Sequence, residues 1–395
     1  MKIAIFSSND FIEGTGSNSR LKAYARGLVE EGDEVTFFFT HASSFNDSGL
    51  NTKAKGIWKG IPYLFFSGKC YRPQSIAGKM VDSFSSMINA TYYLLRHGHK
   101  FDVFLIYSPS ILFYWHIILL LKWIGKPVVI EWTELHSSYG TRMTLKDRFV
   151  RAMHRQDEKH AHNIADHIIV ISRNLKQHYL RFFPPERITL LPIVVDLNRF
   201  EGVDCHRPHS HIIGYLGSFG HKDGVTGILN AFGMALEENP HLRLRLMGWC
   251  PEREKVVQAI KEMQLESKVE FLGQLTSDEI PCYLQQCDVL IVNRPDTRYS
   301  NFGFPTKLGE YLASGRPTIV TRVGDVEQYL THGYDTWMIP PDDDRQLAGA
   351  ILQRFAEYDR FEEIGKRGRE TCQKLFSHTL HIKRLKQIFE QLVKN

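Results

Sequence analysis

The chain reads NFGFPTKLGEYLASGRP from Asn301 to Pro317, which predicts a turn-rich loop that runs into a short helix. Pro305 suits the first position of that helix, because proline has no N–H group to leave unsatisfied there. Gly315 is expected to end the helix. Lys307 and Glu310 are three positions apart and therefore share one helix face. Backbone N–H groups, a cation and a carboxylate at one helix N-terminus suit a ligand with both phosphates and sugar hydroxyls.

Length, charge and cysteine content narrow the class of protein. The chain has 395 residues, and at roughly 100–200 residues per domain this length predicts two domains. The net charge of +5 is mild and no basic block is present, so no nucleic-acid partner is expected. The six cysteines include no Cys-x-x-Cys pair, and Met1 opens a strand and not a signal peptide. These features favour a protein of the reducing cytoplasm.

Two segments bear on contact with a membrane. The apolar run from Ile111 to Leu121 is shorter than the ~18–20 residues of a membrane span, and His116 and Lys122 interrupt it, so a buried helix is expected. The aromatic and basic segment from Trp58 to Arg72 allows peripheral contact with the inner membrane surface, at its cytoplasmic face. A strand pair packed on the domain is the preferred interpretation of that segment.

Strand and helix patterns alternate along the chain, which predicts an α/β fold with parallel sheets. The expected strands are residues 3–7, 34–39, 101–107, 127–131, 167–172, 188–192, 211–216, 242–247, 268–272, 288–293, 318–321 and 337–340. The expected helices are residues 17–31, 80–96, 111–121, 225–236, 252–263, 278–286, 346–357 and 378–393. In the helix at 80–96, Phe84, Met87 and Leu95 have the spacing of core residues.

An irregular polar stretch at residues 200–210 is interpreted as a linker. It divides the chain into an N-terminal domain (1–200), a second domain (201–376) and a terminal helix (377–395). Two doubly wound domains that face a central cleft would place a ligand at the carboxyl ends of both sheets.

The first glycine-rich loop, Gly14-Thr-Gly-Ser-Asn-Ser19, follows the first strand and opens a helix. It matches the dinucleotide pattern G-x-G-x-x-G only in part, because Ser19 replaces the third glycine and no acidic residue ends the second strand. One interpretation is a flexible turn with Ser17 as the helix N-cap. In the preferred one, Gly14 and Gly16 let the backbone approach a phosphate or a sugar closely.

Two further loops follow predicted strands. In Glu131-Trp-Thr-Glu-Leu-His136, Glu134 and His136 could bind acceptor hydroxyls or steer a proton, or could belong to an exposed polar loop. In Gly217-Ser-Phe-Gly-His-Lys-Asp-Gly224, two glycines and Lys222 beside a helix start could hold a diphosphate, or could form an ordinary strand–helix turn.

Two groups of histidines have spacings that imitate a metal site. They are His154, His160 and His162, and His206, His209 and His211. Neither group has cysteines at zinc spacing, so both are interpreted as solvated surface and no metal site is expected.

Taken together, these motifs resemble the retaining nucleotide-sugar glycosyltransferases of the GT-B fold, family 4. Ile164-Ala-Asp-His-Ile-Ile-Val-Ile-Ser172 is similar to the family's A-D-x-I-I-x-x-S strand, and Leu190-Leu-Pro-Ile-Val-Val-Asp196 to its I-P-N-G-V-D segment. Val269-Glu-Phe-Leu-Gly273 also fits. The block from Phe304 to Ile319 is the most specific match and resembles the subset that carries P-[ST]-K-x-x-E.

The resemblance implies a set of site residues. Glu310 matches the second carboxylate of the family's E-x7-E pair and is expected to bind ribose hydroxyls, whereas Phe302 occupies the first position. Ser218 stands where arginine is usual, and Asp223 falls on a lysine position beside Lys222. The implied donor contacts are Gly14, Gly16, Ser17, Gly217, Ser218, Lys222, Phe304, Pro305, Thr306, Lys307, Leu308 and Glu310. The implied catalytic residues are Glu134, His136, Lys307 and Glu310.

The implied activity is a metal-independent hexosyltransferase reaction that needs no cofactor. A sugar would move, with retention, from a UDP- or GDP-linked donor to a sugar or lipid-linked saccharide, in cell-surface polysaccharide or glycolipid assembly. Two alternatives stay open: a nucleotide-sugar 2-epimerase of the same fold, and a non-catalytic subunit that binds a partner enzyme. The terminal helix would cross back to the first domain.

Overall fold

The structure is a computed structural model that describes residues 1–7, 16–40, 53–71, 73, 75–107, 111–138, 145–250 and 252–394. For residues 16, 17, 111–113, 145, 146 and 221 it describes the backbone alone. The chain divides into two compact units. The first comprises Met1–Gly14, Leu21–Pro192 and Thr379–Asn395, and the second comprises Thr15–Arg20 and Ile193–His378. The boundary expected at residue 200 therefore lies inside the second unit.

Within its described residues, the first unit contains a sheet of eight strands in the order β3-β4-β2-β1-β5-β6-β7-β8. The strands are β1 (Lys2–Ser7), β2 (Glu34–Phe39), β3 (Lys55–Trp58), β4 (Ile61–Phe65), β5 (Val103–Tyr107), β6 (Val128–Trp132), β7 (His167–Val170) and β8 (Ile188–Leu190). Neighbours are parallel except in the antiparallel β3–β4 hairpin. Lys59 and Gly60 form its two-residue turn, both with positive φ, as hairpin turns require. The hairpin confirms a strand pair but places it earlier than expected, because β3 ends at Trp58, where the predicted segment begins.

Helices cover both faces of this sheet because its central strands are apolar on both sides. They are α1 (Gly16–Glu30), α2 (Ile76–His97), α3 (Ile111–Trp123), α4 (Leu145–His160) and α5 (Arg173–Tyr179). The terminal helix, here α14 (His378–Lys394), also contacts the first unit. Lys386 of α14 donates to the Glu31 carbonyl at 2.6 Å and lies 3.3 Å from the Asp33 carboxylate.

In the described part of the second unit, six parallel strands form a sheet in the order β11-β10-β9-β12-β13-β14. The strands are β9 (Ile212–Leu216), β10 (Arg243–Met247), β11 (Val269–Gly273), β12 (Val289–Val292), β13 (Thr318–Thr321) and β14 (Trp337–Ile339). The helices are α6 (Val225–Glu238), α7 (Arg253–Glu262), α8 (Ile280–Gln285), α9 (Arg298–Phe302), α10 (Thr306–Ala313), α11 (Val326–Tyr329), α12 (Asp344–Ala356) and α13 (Tyr358–Leu375).

The order of the second sheet reverses between β9 and β12. After β9 the chain moves outward to β10, and after β12 it moves the other way, to β13. The connections that leave these two neighbours therefore diverge, which opens a crevice at the carboxyl ends of the strands. This reversal selects the loops that follow β9 and β12 as the place for a ligand.

Helix α2 corrects a prediction about the core. Phe84, Met87 and Leu95, which have core spacing in the sequence, are exposed by 61%, 38% and 53%. The buried positions of the helix are instead Asp82, Ser86, Ala90 and Leu94. The period of the apolar pattern was correct, but the apolar face points away from the sheet.

Helix α3 was expected to be buried, but only one of its faces is. Tyr114, Ile117, Ile118 and Leu121 are buried as expected. The opposite face is exposed, with Leu119 at 53% and Trp123 at 77%. Among the residues that the structure describes, no helix is long and apolar enough to cross a membrane.

Two cysteines do not fit the expectation of a reduced chain. Cys205, in the stretch interpreted as a linker, forms a disulfide with Cys282 on α8, with 5.2 Å between their Cα atoms. The backbone N–H of Cys205 also donates to the Gln285 side chain at 3.0 Å. Spacing did not indicate this pair because the cysteines are 77 positions apart. The stretch at 200–210 is therefore attached to α8 within the second unit.

His167 makes the stability of the first unit depend on pH. Its Nε2 lies 2.9 Å from the Thr189 hydroxyl, and burial, with the charges of Arg187 and Arg384, lowers the pKa of His167 to about 4. Between pH 6.5 and 4 the unfolded chain binds a proton that the folded chain does not, so lowering the pH favours unfolding. From pH 7 to 5 this histidine should cost about 2 kcal/mol of stability.

The variant His167→Gln keeps a polar group beside Thr189 but does not titrate. Urea titrations of both proteins at pH 7 and pH 5 should show a smaller loss of stability in the variant, by about 2 kcal/mol. An equal loss in the two proteins would mean that His167 is not the source of the pH dependence.

Candidate active site

The site is built around the N-terminus of α10. The short helix α9 is capped by Gly303, and α10 begins at Thr306. The sequence predicted Pro305 as the first residue of α10, but Pro305 is its N-cap, one position earlier. The Pro305 carbonyl accepts a hydrogen bond from the Leu308 N–H at 3.0 Å. No side chain among the described residues caps this helix end. Its first N–H groups are therefore available to a ligand.

Gly315 ends the helix as predicted, with a left-handed φ of +75°. Phe304 and Leu308 are buried. The Phe304 ring packs against those of Tyr329 and Phe376, with centroids 5.3 and 5.9 Å away. These two predicted donor contacts can therefore offer a ligand only backbone atoms, while their side chains anchor the helix in the core.

Lys307 reaches from α10 to the loop after β9. Its Nζ lies 2.5 Å from the Asp223 carboxylate and 3.2 Å from the Tyr215 hydroxyl, over the face of the Tyr215 ring. A Cβ at Gly217 would lie 2.4 Å from this Nζ. The Tyr215 hydroxyl would lie even closer to it, so a side chain at 217 would displace both the lysine and the buried Tyr215 ring.

Asp223 is the centre of this contact. Its other oxygen accepts hydrogen bonds from the Ser218 hydroxyl at 2.9 Å and the Gly220 N–H at 3.2 Å. Burial alone would raise the pKa of Asp223, but the charges of Lys307 and Lys222 and these hydrogen bonds hold it well below its usual value. Burial lowers the pKa of Lys307 and Asp223 opposes that shift. At neutral pH the two form a buried ion pair.

Lys222 lies on the 3-10 turn His221–Asp223, next to this pair. Its Nζ lies 5.4 Å from the centre of the Tyr299 ring on α9. The predicted diphosphate contacts Gly217, Ser218 and Lys222 thus meet the start of α10 in one place.

Glu310 contacts a different partner. One oxygen of its carboxylate lies 2.6 Å from the Arg199 guanidinium, which also donates to the Ser277 carbonyl at 2.5 Å. Both members of the ion pair are about nine-tenths buried. Arg199, Thr306 and Glu310 line a small cavity with the segment 194–196.

Sequence reasoning missed Arg199, because it is 111 positions from Glu310 and no local pattern marks it. The segment before it is placed by close packing. A Cβ at Gly309 would lie 2.4 Å from the Val195 side chain and 2.5 Å from that of Ile193. The absence of a side chain at 309 therefore lets this segment lie directly on α10, and Ile193 has a packing role.

The first glycine-rich loop is described only in part. Gly14 lies outside the described residues. Gly16 and Ser17 begin α1, and only their backbone is described. Their expected contact with the donor stays a prediction.

Glu134 and His136 follow the carboxyl end of β6, as predicted, and His136 begins a 3-10 turn. The His136 ring lies 5.3 Å from that of His154. Burial lowers the pKa of His136, and the charge of Glu134 opposes that shift. The imidazole is therefore neutral at pH 7.

A carboxylate that the sequence did not single out holds this turn in place. Glu158 of α4 accepts hydrogen bonds from the N–H and the hydroxyl of Ser137, at 3.1 and 3.0 Å. It also lies 3.3 Å from Nε2 of His178. Burial acts to raise the pKa of Glu158, but the hydrogen bonds lower it overall. No sequence signal joins these three residues.

Comparisons with known proteins define the class. Residues 14–199 match the family model described as Glycosyltransferase Family 4, and residues 210–357 match the one described as Glycosyl transferases group 1. Between them the two models cover most of the chain, and both describe glycosyltransferases.

The individual relatives are less than 30% identical to this chain. A putative colanic acid biosynthesis glycosyltransferase, WcaL of Salmonella typhimurium, is 27% identical over 47% of this chain and 47% of its own length. A lipopolysaccharide core biosynthesis glycosyltransferase, LpsD of Rhizobium meliloti, is 29% identical over 41% of this chain and 44% of its own. The chain spans about half the length of the curated relatives that it matches.

The crystal structure of HepE from Anabaena in complex with UDP-glucose superimposes with a TM-score of 0.74. The two sequences are 15% identical, and the superposition covers 99% of this chain and 100% of the HepE chain. The predicted fold class, GT-B with two Rossmann-like units, is confirmed.

The ion pair between Lys307 and Asp223 can be tested by removing one charge at a time. Lys307→Met should destabilise the protein by about 3–5 kcal/mol, because it leaves a buried carboxylate without its cation. The double variant Lys307→Met with Asp223→Asn should recover much of that loss, because no buried charge remains. Urea titration measures both effects.

A matched control is Lys255→Met. Lys255 pairs with Glu252 at 2.6 Å on the exposed surface, where an ion pair contributes about 0–1 kcal/mol. A loss at Lys307 no larger than that of the control, or no recovery in the double variant, would contradict the buried pair.

Proposed function

We propose that this protein transfers a sugar from a nucleotide-diphosphate sugar to an acceptor hydroxyl, in the assembly of a cell-surface polysaccharide or glycolipid. The observation that carries the proposal is the uncapped N-terminus of α10, with Lys307 and Glu310 beside it, at the strand reversal of the second sheet. The family supports a glycosyltransferase, and the matched relatives are named for polysaccharide and lipopolysaccharide synthesis.

The diphosphate of the donor would bind at the start of α10. The first N–H groups of a helix and its dipole favour an anion. Lys307 adds an ammonium group that Asp223 keeps charged and in place. Lys222, on the neighbouring turn, brings a second cation. These groups act where negative charge grows on the β-phosphate as the sugar leaves.

Glu310 would recognise the ribose. Arg199 holds one carboxylate oxygen, which leaves the other to accept hydrogen bonds from the ribose hydroxyls. Arg199 would act as a positioning residue, because its guanidinium fixes the carboxylate in one orientation. The small cavity lined by Arg199, Thr306 and Glu310 lies beside this carboxylate.

The reaction proposed for this site retains the configuration of the sugar and uses no metal ion. The bond between the anomeric carbon and the β-phosphate oxygen breaks, and the acceptor oxygen attaches on the same face of the sugar. The proton of the acceptor hydroxyl passes to the departing phosphate. Protein N–H groups and lysines supply the charge stabilisation, and no strong general base is needed.

Glu134 and His136 would act on the acceptor side. A neutral imidazole can accept a hydrogen bond from an acceptor hydroxyl, and the Glu134 carboxylate can do the same. Glu158 would position this turn through Ser137.

Glu310 offers the sharpest test. Glu310→Ala should lower kcat/KM for the donor roughly 100-fold, because it removes charge-assisted hydrogen bonds to the ribose. Glu310→Gln keeps hydrogen-bonding atoms and should lie between Ala and wild type. The control is Glu363→Ala, a half-exposed glutamate of α13 in the same unit, which should leave kcat/KM unchanged.

The donor is found first with a panel of UDP- and GDP-sugars in a thermal-shift assay, because ligands that bind the native state raise its Tm. Transfer is then followed with saccharide acceptors. If no nucleotide raises the Tm of the wild type, the protein is a non-catalytic subunit. If a nucleotide sugar is converted without an acceptor, it is an epimerase. Unchanged donor kinetics in a folded Glu310→Ala variant would remove Glu310 from the site.

A further inference from the structure

Helix α2 carries a continuous apolar stripe on its outer side. Its large apolar side chains recur at helical spacing and are exposed by 38–79%. They are Ile76, Met80, Val81, Phe84, Met87, Ile88, Tyr92 and Leu95. At a rise of 1.5 Å per residue, the stripe is about 29 Å long.

Hydrogen bonds fix the direction in which this stripe points. On the inner side of α2, the Ser86 hydroxyl donates to the Thr40 carbonyl just after β2. The Asn89 amide donates to the Phe66 carbonyl just after β4 at 2.8 Å. The buried positions of the helix include Ala90, a small residue. Because these contacts fix which side of α2 faces the sheet, the exposed apolar stripe lies outward.

Neighbouring helices extend the apolar surface. Helix α3 packs beside α2, and α4 packs beside α3. Trp115, Leu119 and Trp123 of α3 are exposed by 37%, 53% and 77%, and Phe149 of α4 by 66%. Soluble monomers rarely expose contiguous apolar patches above a few hundred Å² unless something binds there. We call the stripe of α2 together with these four side chains the apolar face.

The charged residues near the apolar face indicate what kind of surface binds there. In the described residues between Ile76 and Lys126, every exposed charged side chain is basic: Lys79, Arg96, Lys100 and Lys122. The acidic residues of this segment are Asp82, which is buried, and Asp102, which accepts a hydrogen bond from the Lys2 N–H. Apolar and aromatic side chains with basic residues around them suit a surface that is apolar inside and anionic outside.

We propose that the apolar face docks on an anionic lipid bilayer, with α2 lying in the plane of the interface. Its apolar side chains would enter the boundary between headgroups and acyl chains, while Lys79 and Arg96 contact the phosphates. Lys122 adds less to this attraction, because its Nζ lies 3.8 Å from the Asp166 carboxylate. The contact lies on α2, α3 and α4, and not on the β3–β4 hairpin, where the sequence allowed one. It does not depend on the proposed catalytic activity.

The test is flotation of the full chain with vesicles of phosphatidylcholine alone or mixed with phosphatidylglycerol. The wild type should bind the mixed vesicles and bind neutral ones about tenfold or more weakly, since each basic residue near an anionic surface contributes about a fivefold factor. The triple variant Met80→Ser, Phe84→Ser, Ile88→Ser should lose binding to both. These side chains are exposed, so its circular dichroism spectrum and Tm should match the wild type.

A matched control replaces three exposed apolar residues elsewhere, Met234→Ser, Tyr334→Ser and Leu380→Ser, which are 41–51% exposed. It should bind the mixed vesicles as the wild type does. A second variant, Lys79→Gln, Arg96→Gln and Lys122→Gln, should reduce binding to mixed vesicles about tenfold or more, while added salt weakens the wild type in the same direction.

Three results would overturn the proposal. One is a wild type that floats with neither vesicle. Another is binding that the α2 triple variant does not reduce. The third is a wild-type dimer in light scattering that becomes a monomer in the triple variant and does not bind vesicles, because the apolar face would then join two copies of the chain.

Discussion

A buried ion pair, Lys307 with Asp223, joins the two loops on which the proposed donor site depends. The loops follow β9 and β12, neighbouring strands whose connections diverge and open a crevice between them. Neither charge could be buried alone without a large desolvation cost. Each therefore requires the other, and the requirement fixes the spacing between the loop after β9 and the start of α10. A site held in this way needs little rearrangement when charge develops on a phosphate.

The same pair gives a physical meaning to the departures from the family pattern. Ser218, where the resemblance implies an arginine, donates to Asp223, and Asp223, where it implies a lysine, binds Lys307. Lys307 thus brings a cation to this loop from α10, in addition to the loop's own Lys222. Arg199 supports Glu310, so one short helix carries both proposed contacts with the donor.

The alternation of apolar runs predicted most strands to within one or two residues, as at Thr318–Thr321, because parallel strands are buried on both faces and leave a strong local signal. Local motifs also located α10, its end at Gly315 and the loop with Lys222. The partners of these residues could not be predicted. Arg199 meets Glu310 and Cys205 meets Cys282 only because the fold brings distant positions together. No local pattern encodes such pairs.

Helix α2 shows a different limit of sequence reasoning. Apolar periodicity reports that one face of a helix avoids water but does not say what covers that face. In α2 the side turned to the sheet is held by hydrogen bonds from Ser86 and Asn89, and burial of Leu94 adds to it. The outer stripe contributes little to the folding of the unit, because it stays exposed in the folded chain. Folding does not require its apolar character, so that character is better explained by a surface outside the chain.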